Sequence, residues 1–525
     1  MKKFFLFFAI LFSYLAYAND SLDNVIEVQV QKFRNILETV KNNYYKEDID
    51  IKKISENAFN SALQSLDKFS SYYPAPVYEN IKDSYKGTTR GIGVQFFRRG
   101  DSLIIFHIVK NSPADSVGLE LGDKVIYINH EYCIGKDAAF ANKKILESPN
   151  GIAVLTIKRG DILKEYTIPT TEIEIPSLIS KMKFGKDIGY LRLSRFSLST
   201  FKEFTQAFDS LLRIGCKYFA IDLRGNQGGY LDEAVKLCYL FLKKGDTVVT
   251  VSGKKENTKV YIAEENGKYF GLPLIVLVDE NTASASEIFA SSMQDNDRAI
   301  VVGTRTFGKG LVLRTWEFKD GSAFRITTAE YLSPLGRKIQ KEEVNNVELS
   351  GFADLQLKSE QKENIEALIK KFGGLSSVPI YYTKKGRLLL GGGGIFPDYI
   401  FISDTLPVYL QKIRSNGFLN DFVLKYFIED SRQLSKLKEY SFSKFVHNFN
   451  ILDNAIFSFR QYLVSKNALL ENYFNQEYQR IILEMKATLG YILFGDIGYY
   501  SVLIQNDNVL NRIVELRNEV ENLVK

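Results

Sequence analysis

Leu274-Ile275-Val276-Leu277-Val278-Asp279-Glu280-Asn281-Thr282-Ala283-Ser284-Ala285-Ser286-Glu287 passes from five apolar residues into a polar turn, then into small residues and a helical pattern. A short apolar run closed by turn residues reads as a buried strand, and Ser286–Met293 reads as the helix after it. Further strands are expected at Ile188–Leu193, Tyr218–Leu223 and Ile300–Val302, with helices at Thr200–Leu212 and Leu231–Leu242. Strands alternating with helices indicate an α/β layered domain, here over residues 173–402. Residues 341–386 interrupt it with a polar stretch rich in lysine and glutamate, expected as a surface insertion.

The chain is expected to be multidomain. Residues 1–18, MKKFFLFFAILFSYLAYA, place two lysines before an apolar run and end in a small-x-small pattern. That is the form of a cleaved signal peptide, and the run is shorter than the ~20 apolar residues a membrane span needs. Export to a periplasmic or other extracytoplasmic space is expected, with membrane association left open. Residues 19–86 read as a helical cap. From 87 to 172 short alternating strands take over, with Ser112-Pro113-Ala114, Gly118-Leu119 and Gly122-Asp123 in order between them. This order resembles a bacterial PDZ domain, a fold that binds an extended peptide by strand addition and receives its carboxylate on a glycine-containing loop. The resemblance assigns that loop to Gly91, Ile92, Gly93 and Val94. Residues 403–525 read as a helical extension rich in tyrosine and phenylalanine. Near its end Val509, Ile513, Leu516, Val520 and Leu523 follow 4-3-4-3 spacing, a coiled-coil-like seam of barely two heptads. An amphipathic helix on the chain's own core is the first expectation there, and a homodimer seam the alternative.

Composition excludes several chemistries. The chain has three histidines (His107, His130, His447) and three cysteines (Cys133, Cys216, Cys238) in 525 residues, with no CxxC, HxH or HExxH. A zinc or iron–sulfur centre and a disulfide framework are therefore not expected. Lysine and arginine number 68 against 62 acidic residues, well interspersed, so no basic footprint for nucleic acid stands out. No metal or organic cofactor is expected.

Three turns in the α/β region carry unusual residues. Asp222-Leu223-Arg224-Gly225-Asn226-Gln227-Gly228-Gly229 follows a buried strand, and its bare N–H groups suit a phosphate or an oxyanion. The glycine patterns of nucleotide-binding loops are absent. In the second turn Ser286 reads as the helix N-cap, leaving Ser284 free to project between two alanines. The third, Phe307-Gly308-Lys309-Gly310, sets a lysine between glycines. Desolvation lowers an amine pKa, so a lysine in apolar surroundings can act as a general base for serine. The intervening strand Ile300–Val302 offers a way to bring the two turns together.

With these turns the chain resembles the carboxyl-terminal processing, or tail-specific, proteases over roughly residues 1–400. The matching stretches are Leu66-Asp67 with Ser70, Asp222-Leu223-Arg224 with Gly228-Gly229, Ala283 to Glu287, and Phe307 to Gly310. They continue through Asp320 to Ala323, Thr327 to Ala329, Tyr331 with Pro334 and Gly336-Arg337, and Gly394-Ile395 with Pro397-Asp398. The resemblance implies Ser284 as nucleophile, Lys309 as general base, the N–H groups of Gly229 and Ala285 as oxyanion hole, and tail capture by Gly91–Val94. Leu313 departs from it, since the family typically has a glutamine four residues after the lysine. Ile145–Gly151 also lacks the family's Leu-Arg-Gly stretch, so its regulation is not carried over. The expected protein is an exported serine endopeptidase that cuts protein or peptide substrates near carboxyl ends captured by the PDZ module. The alternatives are an impaired peptide-tail adaptor or chaperone, motivated by Leu313, and an assembly protein acting through its C-terminal helices.

Overall fold

Leu274–Val278 is a strand with all five residues buried, as a strand covered on both faces must be. It lies inside a six-stranded sheet whose spatial order follows the chain: Leu178–Phe184, Ile188–Leu193, Tyr218–Asp222, Leu274–Val278, Ile300–Gly303, Tyr399–Ile400. The first pair is antiparallel and the remaining four pairings are parallel. These features come from a computed structural model that describes residues 22–254, 258–341, 379–401 and 406–525. The expected signal peptide and all but the two ends of the expected insertion lie outside the described residues.

Alternate residues of each strand point to opposite faces, and here each face has its own cover. Phe219, Ile221, Leu274, Val276, Val278 and Val301 share a buried cluster with residues of helices Thr200–Arg213, Leu231–Tyr239 and Ala285–Asp295. Ile188, Tyr190, Ala220, Ile275, Leu277, Ile300 and Val302 form a second cluster with Val509, Leu510, Ile513, Leu516, Val520 and Leu523. The apolar seam near the chain's end thus lies on the sheet of its own chain. Nor is it one helix: Asn508–Ile513 and Arg517–Val524 are separated by a 3₁₀ turn at Val514–Leu516. The first expectation, an amphipathic face on the chain's own core, therefore holds, with two short helices in place of one; 4-3 spacing reports a covered face without saying what covers it.

Between Val94 and Pro169 six short strands form an antiparallel sheet with helices Pro113–Ser116 and Ala138–Leu146. Ile92, Leu103, Ile105, Val125, Leu155, Ile157 and Ile168 make its core. Gly93 has φ +84°, and a Cβ there would lie 2.2 Å from that of Ser112, so only glycine fits. Ile104 and Phe106, on the opposite face of this sheet, belong to the large apolar cluster of residues 409–502. Arg99 adds ion pairs to Glu429 at 2.7 Å and Asp421 at 3.5 Å. The C-terminal residues therefore cover one face of each sheet.

The chain divides into two units, the smaller comprising residues up to Tyr78 and Leu313–Thr327. Its described part holds helices Leu22–Asn43 and Ile51–Gln64, and Ser71–Tyr73 paired antiparallel with Ala323–Arg325. Asp67 Oδ1 accepts the N–H groups of Phe69 at 2.8 Å and Ser70 at 2.9 Å, closing the turn before that strand. Among the described residues no helix is long and apolar enough to cross a membrane.

Candidate active site

The strand Leu274–Val278 ends in a turn stapled by Asp279, which accepts Gly225 N–H at 2.9 Å and Asn281 N–H at 3.0 Å. The helix begins at Ala285, so the residue before it is Ser284, not Ser286. Ser286 is fully buried in the first turn, where its hydroxyl donates to the Asn226 carbonyl at 3.0 Å. The Ser286 N-cap expectation fails because a carboxylate three residues after Ser284 already occupies the cap. Ser284 itself is half-buried, with φ +57° and ψ −120°. That conformation is strained for a residue with a side chain and persists only where its surroundings enforce it.

Glu287 supplies the enforcement. It is completely buried, and its Oε2 accepts the N–H of Ser284 at 2.9 Å and of Lys309 at 2.8 Å. Its Oε1 accepts the N–H of Gly308 at 2.8 Å and the Thr306 hydroxyl at 2.5 Å. One carboxylate therefore joins the serine turn to the lysine turn. Burial pushes its pKa up, and these four donors pull it back; only the ionised group accepts all four at once. Glu287 has no role among the residues expected from the sequence to form the site. The signal was present, because Ser-x-x-Glu before a helix is a capping-box pattern. What that pattern could not reveal is the other three donors, from Thr306, Gly308 and Lys309, some twenty residues away.

The glycine-rich turn closes on the same point. Asn226, fully buried, donates to the Leu193 carbonyl at 3.0 Å and accepts Gly228 N–H at 2.9 Å, while its carbonyl accepts Ala283 N–H at 3.0 Å. Gly228 has φ +96°, and a Cβ there would lie 2.8 Å from that of Ser284 and 2.9 Å from the Ala285 nitrogen. Gly229 is held by Phe196, which donates to the Gly228 carbonyl and accepts from Tyr230. Among the described residues, the N–H groups of Gly229 and Ala285 donate to no protein acceptor. Ser284, Ala285, Gly229 and the backbone of Lys309 are thus brought to one place. Gly91–Val94 belong elsewhere, to a separate cavity of about 950 Å³. The lysine turn is further fixed by Gln340, whose Oε1 accepts Gly310 N–H at 3.0 Å.

Asp222 anchors the start of the glycine turn. Its buried carboxylate accepts from Tyr190 at 2.6 Å, Arg192 at 3.0 Å and Arg224 at 2.6 Å, and Arg224 also reaches Asp507 at 2.7 Å. Burial would raise its pKa, but Arg192 and Arg224 prevail and hold it well below the usual carboxylate range. In the unfolded chain such a carboxyl titrates near ~4. Its contribution to stability is therefore complete above that pH and is lost as the pH falls toward the depressed folded value. Asp222→Asn is expected to flatten the decline of thermal stability below about pH 5. It should also lower stability at neutral pH by ~3–5 kcal/mol, because the half-buried Arg192 loses its carboxylate and the buried Arg224 keeps only Asp507. A melting-temperature series over pH in both proteins checks this, and parallel curves would refute it.

Residues 187–347 match Peptidase family S41. A protein of Staphylococcus epidermidis named "Probable CtpA-like serine protease" is 30% identical over 327 residues, which cover 62% of this chain and 66% of that protein. One of the same name from Staphylococcus aureus is 31% identical over 320 residues, 61% of this chain and 64% of that protein. The matches thus span just under two thirds of these relatives. Among solved structures, the photosystem II D1 C-terminal processing protease is 21% identical with a TM-score of 0.34, covering 59% of this chain and 89% of that one. Residues 187–347, which hold all three turns of the site, thus carry the chain's similarity to peptidase family S41.

Proposed function

We propose that the chain is an exported serine endopeptidase that cleaves proteins near their carboxyl ends. The observation that carries this reading is the Glu287 carboxylate, which ties the Ser284 turn to the Lys309 turn beside two undonated N–H groups. Ser284 Oγ attacks the scissile carbonyl carbon as its proton passes to neutral Lys309 Nζ. The N–H groups of Gly229 and Ala285 stabilise the oxyanion, aided by the positive end of the helix that Ala285 begins. Protonated Lys309 gives its proton to the leaving amine, and water then hydrolyses the acyl-enzyme with Lys309 again as base. Residues 87–172 act as a PDZ module, with Gly91, Ile92, Gly93 and Val94 receiving the substrate's terminal carboxylate. The signal peptide at 1–18 directs export, and neither metal nor nucleic acid takes part.

A second reading, an impaired tail-binding adaptor, rests on Leu313 in place of the family's glutamine. One experiment separates the two. A loosely folded protein with an apolar tail is incubated with the wild-type chain, Ser284→Ala and Lys309→Ala. Cleavage by wild type, reduced at least about a thousandfold in both variants, supports the protease. Equal inactivity of all three, with tail binding retained, would leave the adaptor. Leu313→Gln is expected to raise the rate, and a large rise would show that the missing amide limits turnover.

A further inference from the structure

The cavity beside Gly91–Val94 has an unusual wall. Besides Ile92, Val94, Ile145 and Leu146 it is lined by Tyr491, Phe494 and Asp496 from the C-terminal extension. Among the described residues the strand Val94–Arg99 pairs on one side only, with Ser102–Ile108, which leaves its other edge for an added strand. Its side chains alternate. Val94 and Phe96 pack on the core of their own module, whereas Phe97 packs on the C-terminal cluster and Gln95 accepts a hydrogen bond from the Tyr491 hydroxyl. The extension is held against this face, since the ring of Tyr491 contacts Phe106 and His107, and His107 Nδ1 donates to the Ile492 carbonyl at 3.0 Å.

An added strand alternates in the same way. If its last side chain enters the apolar pocket of Ile92, Val94, Ile145 and Leu146, the penultimate one turns toward Gln95 and the extension. We propose that the C-terminal extension reads the penultimate residue of the captured tail and selects a basic one. Tyr491 and Phe494 offer ring faces for the apolar stem of a lysine or arginine, and Asp496 offers its carboxylate to the cation. His107 and Arg195 lie within the field of Asp496; an acidic penultimate side chain would meet the carboxylate head-on. This inference rests on the tail-capture reading above.

The test uses the full chain carrying Ser284→Ala and ten-residue peptides ending in leucine with a free carboxylate. With lysine at the penultimate position binding should be about tenfold tighter than with glutamate. Asp496→Lys, a change at an exposed residue, should reverse that order. The same lysine–glutamate swap at the third residue from the end faces the module core and should not respond to Asp496→Lys. Equal binding of the two penultimate peptides overturns the proposal, as does an Asp496→Lys response of the same size at both positions. If amidated peptides bind as tightly as free acids, tail capture itself fails, which is a different result.

Discussion

Glu287→Gln is expected to lower the rate of cleavage by at least about a hundredfold, with a smaller change in KM. The amide keeps the size and burial of the carboxylate but can accept on one oxygen only. Two of the four donors it now serves, from Ser284, Lys309, Gly308 and Thr306, would face an NH₂ group instead. Each buried donor left without an acceptor costs ~1–3 kcal/mol, and the cheapest relief is to let the serine and lysine turns part. A displacement of about 1 Å is enough to cost two orders of magnitude in rate. Glu287 never meets the substrate in this account, so it is a positioning residue. A purely structural role would lower the melting temperature and leave kcat intact well below it. Kinetics at a temperature where the variant is fully folded distinguish the two, and an unchanged kcat there would sink the assignment.

Removing residues 507–525 is expected to leave a chain that does not fold to a soluble state. These residues bring Val509, Leu510, Ile513, Leu516, Val520 and Leu523, all buried, onto Ile188, Tyr190, Ala220, Ile275, Ile300 and Val302 of the central sheet. Burying one such side chain contributes ~1.5–3 kcal/mol, so the set approaches the whole stability of a typical domain, ~5–15 kcal/mol. The truncation also removes Asp507, one of the two carboxylates that meet Arg224. Leu510→Ala gives a graded version, at ~2–5 kcal/mol. Soluble yield and the melting temperature read both, and a truncated chain that melts like the full one would show that this face needs no cover.

The strands of the core were legible because parallel strands buried on both faces read as near-continuous apolar runs. Ile188–Leu193 and Leu274–Val278 appear where the reading put them. The serine, lysine and glycine turns were legible too, since each concentrates small residues where a strand ends. Ser284 as the residue at the helix start was missed. Cap preference ranks serines alike, and only the reach of Glu287 back to Ser284 chooses between them.

By itself the sequence determined the alternation of strand and helix, the three turns, and the shortage of histidine that makes lysine the base to look for. Local pattern settles such features because each depends on residues a few positions apart. The tertiary structure alone decided that Glu287 serves both turns, that Asn226 and Gly228 bring the glycine turn against Ser284, and that residues 408–525 cover two sheets. The reason is physical. An amphipathic helix or a buried carboxylate states in its own sequence only that it needs a partner, and which partner is set by packing between segments far apart in the chain.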